Sequence, residues 1–128
     1  MMRRILVAVD DSAPALAAAA YAIELARTQD AQLNFVTVSE TDRDTGSVLR
    51  HVAALAERDG VVAVTTRRDG GQPFDVILDH ADAWEADLIV VGRSDLRRPG
   101  QPYVGSQTEH LLEFTRLPVV VVPYVVAS

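Results

Sequence analysis

A glycine-containing segment between residues 92 and 106 carries the residue types that hold phosphate groups in proteins. Gly92 follows an apolar run, and Gly105 directly precedes Ser106. Glycine lets the backbone come close to a ligand. A helix that begins at Ser106 would also point free N–H groups and a positive dipole end at an anion. Hydroxyls of Ser106 and Thr108 would add donors, so the segment predicts a phosphate site at the start of a helix.

Local sequence supports a second interpretation of the same residues. Ser106-Gln107-Thr108-Glu109 is also a capping box, which explains Ser106 as well as phosphate binding does. Asp10 and Asp11, which follow the first apolar run, equally fit solvated turn residues or a charge pair at a helix N-terminus. Both interpretations stay open at this point.

The elements that position these residues follow from five short apolar runs rich in valine and isoleucine. Such continuous runs predict strands covered on both faces, as in a parallel sheet. The runs are Ile5–Val9, Leu33–Val38, Val61–Thr65, Leu88–Val91 and Val119–Val122. Stretches with helical spacing separate them, at Ala13–Thr28, Val48–Arg58, Pro73–Glu85 and Ser106–Arg116. In the last of these, Leu111, Leu112 and Phe114, or a subset of them, are predicted to be buried.

Strict alternation of strands and helices predicts one α/β domain over residues 1–128, with right-handed crossovers and helices on both sheet faces. The segment from Gly92 to Gly105 is its one long loop without periodicity. That loop follows the C-terminal end of a strand, where open α/β sheets bind ligands.

Composition excludes several other classes of protein. The 128 residues are 48% hydrophobic and include no cysteine, which rules out disulfides and thiolate metal sites. All 12 basic residues are arginine and the net charge is −6, which argues against nucleic acid as a partner. The apolar runs are too short for a membrane span, and the N-terminus does not fit a signal peptide, so we expect a cytoplasmic protein.

Two catalytic or metal-binding alternatives also fail on residue types. An acidic pair after the first strand is typical of phosphoacceptor receiver domains, but these need a lysine after the fifth strand, and this chain has none. His51, His80 and His110 lie on three separate predicted helices without a second ligand at metal spacing, so we predict no metal site.

The segment from residue 92 to 106 resembles the nucleotide-binding motif of the universal stress protein family. That motif is a glycine, two residues, a second glycine, nine residues, and then Gly-Ser or Gly-Thr. Here it is Gly92, Arg93-Ser94, Asp95, nine residues, then Gly105-Ser106. Residues 5–12, 71–77, 86–92 and 117–123 also resemble the family, so nearly the whole chain is covered. The resemblance implies a Rossmann-like three-layer sandwich with strand order 3-2-1-4-5.

The resemblance also implies roles by position. Asp10 would face the adenine or ribose, Val9 would line the adenine slot, and Val38 would contact adenine partly through its backbone. The residues that would surround the ribose and phosphates are Gly92, Gly105, Ser106, Gln107 and Thr108.

Asp95 is the departure from the motif, because it puts a carboxylate where the family has a glycine against the phosphates. Arg93 and two further arginines in the same segment would offset part of its charge, and a Mg²⁺ ion bridging Asp95 and phosphate would reverse the sign. The leading expectation is a stress-response protein that binds ATP, ADP or AMP. Any hydrolysis would be slow, because no general base is evident beside the predicted phosphates. The alternative is a dimeric regulatory protein that kept the fold and lost nucleotide binding.

The last strand bears on assembly. Val119–Val122 would lie at a sheet edge, and a valine-rich edge favours association. In the family this strand commonly pairs with its copy, so we expect a homodimer.

Overall fold

The computed structural model describes residues 3–10, 12–39, 46–94 and 106–124. Nine elements alternate along the chain. The strands are β1 (Arg4–Ala8), β2 (Gln32–Ser39), β3 (Ala63–Asp69), β4 (Leu88–Ser94) and β5 (Val119–Tyr124). The helices are α1 (Ala13–Gln29), α2 (Gly46–Arg58), α3 (Pro73–Trp84) and α4 (Ser106–Phe114).

All strand pairs are parallel, in the order β3-β2-β1-β4-β5. This confirms the predicted fold class and strand order. Two apolar clusters cover the sheet. One joins α1 and α2 to one face through residues such as Val7 and Phe35, and the other joins α3 and α4 to the opposite face through residues such as Leu6 and Ile89.

Helix α1 packs closely because its sheet-facing side is built from alanines. Ser12 caps the helix, and its Oγ accepts a hydrogen bond from the backbone N–H of Ala15 at 3.3 Å. Pro14 lies in the first turn, where a missing N–H costs nothing. The buried residues are Ala15, Ala18, Ala19, Ala22, Ile23 and Ala26.

Strand β3 differs from the prediction in position and in burial. It begins at Ala63 rather than Val61, and Val64 is 50% exposed. The continuous apolar run predicted cover on both faces, but β3 is the edge of the sheet, and on the side of Val64 helix α3 packs against the neighbouring strand β2. Helix α4 buries one of the three residues from which a buried subset was predicted: Leu111 is buried, whereas Leu112 and Phe114 are exposed.

The other edge strand, β5, contains a proline at a position that its edge location explains. The N–H of Ile89 donates to the carbonyl of Pro118 at 3.1 Å. Backbone groups alternate sides along a strand, so those of Val119, Val121 and Pro123 point away from β4. Pro123 therefore removes an outward donor and no hydrogen bond to β4.

Candidate functional site

The C-terminal ends of β1, β2 and β4 meet at one edge of the sheet. Strand β1 lies between β2 and β4, with Val7 opposite both Phe35 and Val90. The chain leaves β1 toward β2 on one side and reaches β4 on the other side, so β1 and β4 form a topological switch point, where ligands of open α/β sheets bind. Val9, Asp10, Val38 and Gly92 are brought together at this edge.

Asp10 is exposed and its carboxylate is oriented by the loop into α1. Its Oδ1 accepts a hydrogen bond from the backbone N–H of Ser12 at 2.8 Å. Ser12 in turn caps α1 through Ala15. The carboxylate therefore has the structural role of a turn residue. The second oxygen, Oδ2, makes no hydrogen bond to a described residue, so no such bond holds it in place.

Gly92 lies within β4, and the predicted loop therefore begins later than the sequence indicated. A Cβ on Gly92 would lie 2.1 Å from the carbonyl oxygen of Pro14 and 2.5 Å from its carbonyl carbon. Real Cβ atoms do not approach backbone so closely, so the first turn of α1 can cross β4 only over a glycine. The first glycine of the motif thus has a packing role that needs no ligand.

The two valines predicted to contact adenine occupy opposite faces. Val9 is buried within the cluster on the α1 and α2 side. Val38 is half-buried and, two residues after Val36, lies on the α3 and α4 side. The two side chains therefore cannot both face one ligand from the same side of the sheet.

Thr37 is a polar residue at this edge that sequence reasoning missed. It is 2% exposed and lies on the same face as Phe35, in the strand next to Val9. Its hydroxyl makes no hydrogen bond to any residue within the described ranges. Threonine is common in strands, so the sequence offered no signal to separate it from its apolar neighbours.

The phosphate side of the predicted site is described in part. Arg93 continues β4 opposite Pro123, is half-buried, and lies on the face covered by α3 and α4. Ser106 and Gln107 form the first turn of α4, and Thr108, half-buried, follows them. The first N–H groups of a helix have no partner within the helix. Asp95 and Gly105 lie outside the described residues.

The described residues offer neither a metal-binding cluster nor a membrane-spanning helix. They contain no group of three or more histidine, cysteine, aspartate or glutamate side chains that could hold a metal ion. Among the described helices, none has the length and apolar character to cross a membrane.

Comparison with known proteins identifies the family. A model of the universal stress protein family matches residues 1–123. The chain belongs to the universal stress protein family. A universal stress protein of Methanocaldococcus jannaschii is 27% identical over 141 residues, which cover 95% of this chain and 82% of that protein.

Solved structures agree with this family assignment. A universal stress family protein from Burkholderia pseudomallei is 27% identical, with a TM-score of 0.79 over 96% of this chain and 97% of that one. A universal stress protein in complex with cAMP is 23% identical, with a TM-score of 0.79 over 95% and 97%. The Archaeoglobus fulgidus protein in complex with dAMP is 22% identical, with a TM-score of 0.73 over 94% and 97%. The last two similarities establish the shared fold over nearly the whole of this universal stress protein.

Proposed function

We propose that this universal stress protein binds an adenine nucleotide at the C-terminal edge of its sheet, as a cytoplasmic, stress-responsive nucleotide sensor. The observation that carries the proposal is the convergence of Asp10, Val38 and Gly92 at the switch point between β1 and β4. Adenine would lie beside β1 and β2, and the phosphates would face the first turn of α4.

Relatives support the ligand class. Two family members of the same fold were solved in complex with adenine nucleotides, cAMP and dAMP. Both ligands carry a single phosphate. An exposed carboxylate at Asp10, held by the N–H of Ser12, offers a second oxygen to a hydroxyl or amino donor of the nucleoside.

Asp95 favours monophosphates over ATP. Two like charges about 4 Å apart at an effective dielectric near 20 repel by about 4 kcal/mol, which is roughly a thousandfold in affinity. The repulsion grows with the number of phosphate charges nearby. We therefore propose that AMP or cyclic AMP binds more tightly than ATP.

Titration calorimetry with AMP, cyclic AMP, ADP and ATP tests the proposal. We expect measurable binding of a monophosphate at micromolar concentration, and weaker binding of ATP. Asp95→Gly should improve ATP affinity by at least tenfold and AMP affinity by less. Absence of heat for all four ligands, in both the parent protein and Asp95→Gly, would eliminate nucleotide binding.

A pair of Asp10 variants separates its structural role from its role in binding. Asp10→Asn keeps an acceptor for the Ser12 N–H and removes the charge, whereas Asp10→Ala removes both. A hydrogen bond to a charged group contributes about 1.5–3 kcal/mol. We expect both variants to weaken nucleotide binding, Asp10→Ala by more than about tenfold. Asp87→Asn, at the opposite end of the sheet, is the control and should bind like the parent.

Magnesium would join this site only through the nucleotide. The described residues supply no cluster of metal ligands, and Asp95, by its place in the motif, would lie against the phosphates. Mg²⁺ would screen Asp95 from the phosphates of ATP. Magnesium should therefore improve the binding of ATP more than that of AMP.

We further propose a homodimer through Val119–Val122 of β5. Strand β5 pairs with β4 on one side, and the outward N–H groups of Val119 and Val121 are positioned for a second strand. Light scattering after size exclusion should give the dimer mass at micromolar concentration. A monomer under these conditions would count against the proposal.

Both candidate functions involve a dimer, so bound nucleotide is what separates them. A dimeric regulatory protein without nucleotide is favoured only by the Asp95 substitution. Native mass spectrometry reports the assembly and any co-purified nucleotide together. A dimer that carries no nucleotide, and gains none with Asp95→Gly, would establish that alternative.

A further inference from the structure

A polar cluster joins α3 to the sheet on the side away from α1. The Asn34 side chain, 3% exposed in the middle of β2, is its centre. Thr66 Oγ1 of β3 donates to Asn34 Oδ1 at 3.1 Å, and Asn34 Nδ2 lies 2.9 Å from Nε2 of His80 on α3. The other ring nitrogen of His80, Nδ1, lies 3.4 Å from Nη1 of Arg68 on β3.

These contacts require a neutral histidine ring. A neutral imidazole has one nitrogen that donates and one that accepts, whereas both nitrogens of an imidazolium donate. The neutral ring accepts one hydrogen bond, either from the amide of Asn34 or from the guanidinium of Arg68. An imidazolium accepts neither. Turning the Asn34 amide would offer it an oxygen but would still leave two cations facing each other at 3.4 Å.

No carboxylate on a residue that the structure describes compensates such a charge. Of the charged groups on described residues, Arg68 is the one whose field acts on His80. Asp79 and Asp82 neighbour it on α3 but are exposed. Groups on the other packed elements are engaged elsewhere: Arg67 with Asp69 on the opposite face of β3, and His110 of α4 between Phe74 and Phe114. Burial, and then the Arg68 guanidinium, lower the pKa of His80.

Helix α3 is held on the sheet by this cluster together with apolar contacts that are mostly partial. Within the helix, which is described throughout, Ala81 is fully buried, and Ile77, Leu78 and Trp84 pack, partly buried, against the apolar cluster on this face. Its first turn also contacts α4, where the Phe74 ring stacks on His110 with the ring centroids 3.6 Å apart. Movement of α3 therefore acts directly on α4.

We propose that Thr66, Asn34, His80 and Arg68 form a pH-sensitive clasp that holds α3 on the sheet while His80 is neutral and loosens it when His80 is protonated. Because the folded protein favours the neutral ring, the clasp is complete above the ordinary histidine value of 6.5. It is lost as pH falls through the lower value of the folded state. A loosened α3 would also disturb α4, whose first turn is proposed to face the phosphates. That consequence rests on the proposed nucleotide site, whereas the clasp itself does not.

Hydrogen exchange on the nucleotide-free protein tests the clasp. Protection factors for α3 amides, which are corrected for intrinsic rates, should fall between pH 7.5 and pH 5.5 in the parent protein. His80→Gln, which cannot be charged, should abolish that fall. His51→Gln, an exposed histidine of α2, should retain it. An equal fall in the parent and in His80→Gln, or no fall in the parent, would overturn the clasp.

Titration of labelled His80 by NMR gives a second test that does not depend on the fold of His80→Gln. Removing the neighbouring charge in Arg68→Gln should raise the midpoint of the His80 titration. An unchanged midpoint would overturn the proposed Arg68 contact. Both measurements omit nucleotide, so a failure to bind AMP or ATP would not affect them.

Discussion

Gly92 shows that a residue of a ligand-binding motif is already required by packing. The carbonyl of Pro14 occupies the space that a Cβ on Gly92 would need. We expect Gly92→Ala to lower the free energy of unfolding by about 1–3 kcal/mol, because overpacking forces the backbone to shift. Urea denaturation without nucleotide measures this. Unchanged stability together with weaker nucleotide binding would mean that Gly92 acts on the ligand alone.

Asp87, which lies more than 80 residues away in sequence, stabilises the N-terminal end of β1 through hydrogen bonds. Its Oδ2 accepts hydrogen bonds from the backbone N–H groups of Arg3 and Arg4, at 2.8 and 2.9 Å. These bonds lower the pKa of Asp87. Because the carboxylate is exposed and screened, we expect Asp87→Ala to cost about 1 kcal/mol of stability at pH 7.

The pH dependence of this effect has a definite sign. A lowered pKa means that the folded state favours the carboxylate, so its contribution is present above the ordinary value of 3.8. It is lost as pH falls through the lower folded value. The difference in unfolding free energy between the parent and Asp87→Ala should therefore shrink at acid pH. A difference that grows toward acid pH would contradict the assigned hydrogen bonds.

At the scale of elements, the sequence predicted the order and type of every strand and helix, because the strands of a parallel sheet are buried on both faces and therefore consist of continuous apolar runs. It failed where position in the sheet decides burial. Residues 61–65 form a valine-rich apolar run like the central ones, yet Val64 is 50% exposed, because β3 is an edge strand. The apolar pattern of one strand does not record how many neighbours that strand has.

The candidate site was predictable to a similar depth. The end of a strand indicated the segment that begins at Gly92, whereas the resemblance to the family singled out Asp10 and Val38; all three lie at the C-terminal edge of the sheet, where the ends of parallel strands meet. Side-chain faces and long-range partners were not predictable, since they depend on register. The opposed faces of Val9 and Val38 are one example. Asn34 is another: an amide within an apolar strand signals a buried partner, but only the fold identifies it as His80.

Paired substitutions in a central and an edge strand test this difference. Val90, in β4, is completely buried, whereas Val64, in β3, is half exposed. We expect Val90→Ala to lower the free energy of unfolding by about 1.5–3 kcal/mol, because a fully buried side chain is truncated. Val64→Ala should cost less than half as much. Equal costs, measured by denaturant titration, would show that β3 is covered in solution.

At the scale of the whole molecule, charge opposes the proposed assembly. Each copy carries a net charge of −6, so two copies repel, whereas pairing along β5 relies on backbone hydrogen bonds and buried valine. Salt shortens the range of this repulsion from about 10 Å at 0.1 M to about 3 Å at 1 M. We therefore expect the Kd of the dimer to fall several-fold between 20 mM and 500 mM sodium chloride, as measured by sedimentation equilibrium.

A variant of β5 tests whether the dimer forms through this strand edge. Pro123→Val adds an outward N–H next to those of Val119 and Val121, without removing a hydrogen bond to β4. The added donor should lower the dimer Kd at both salt concentrations, and leave the salt dependence unchanged because no charge is altered. A Kd that rises with salt would indicate that ion pairs hold the dimer together. A Kd that does not respond to Pro123→Val would place the interface away from this edge of β5.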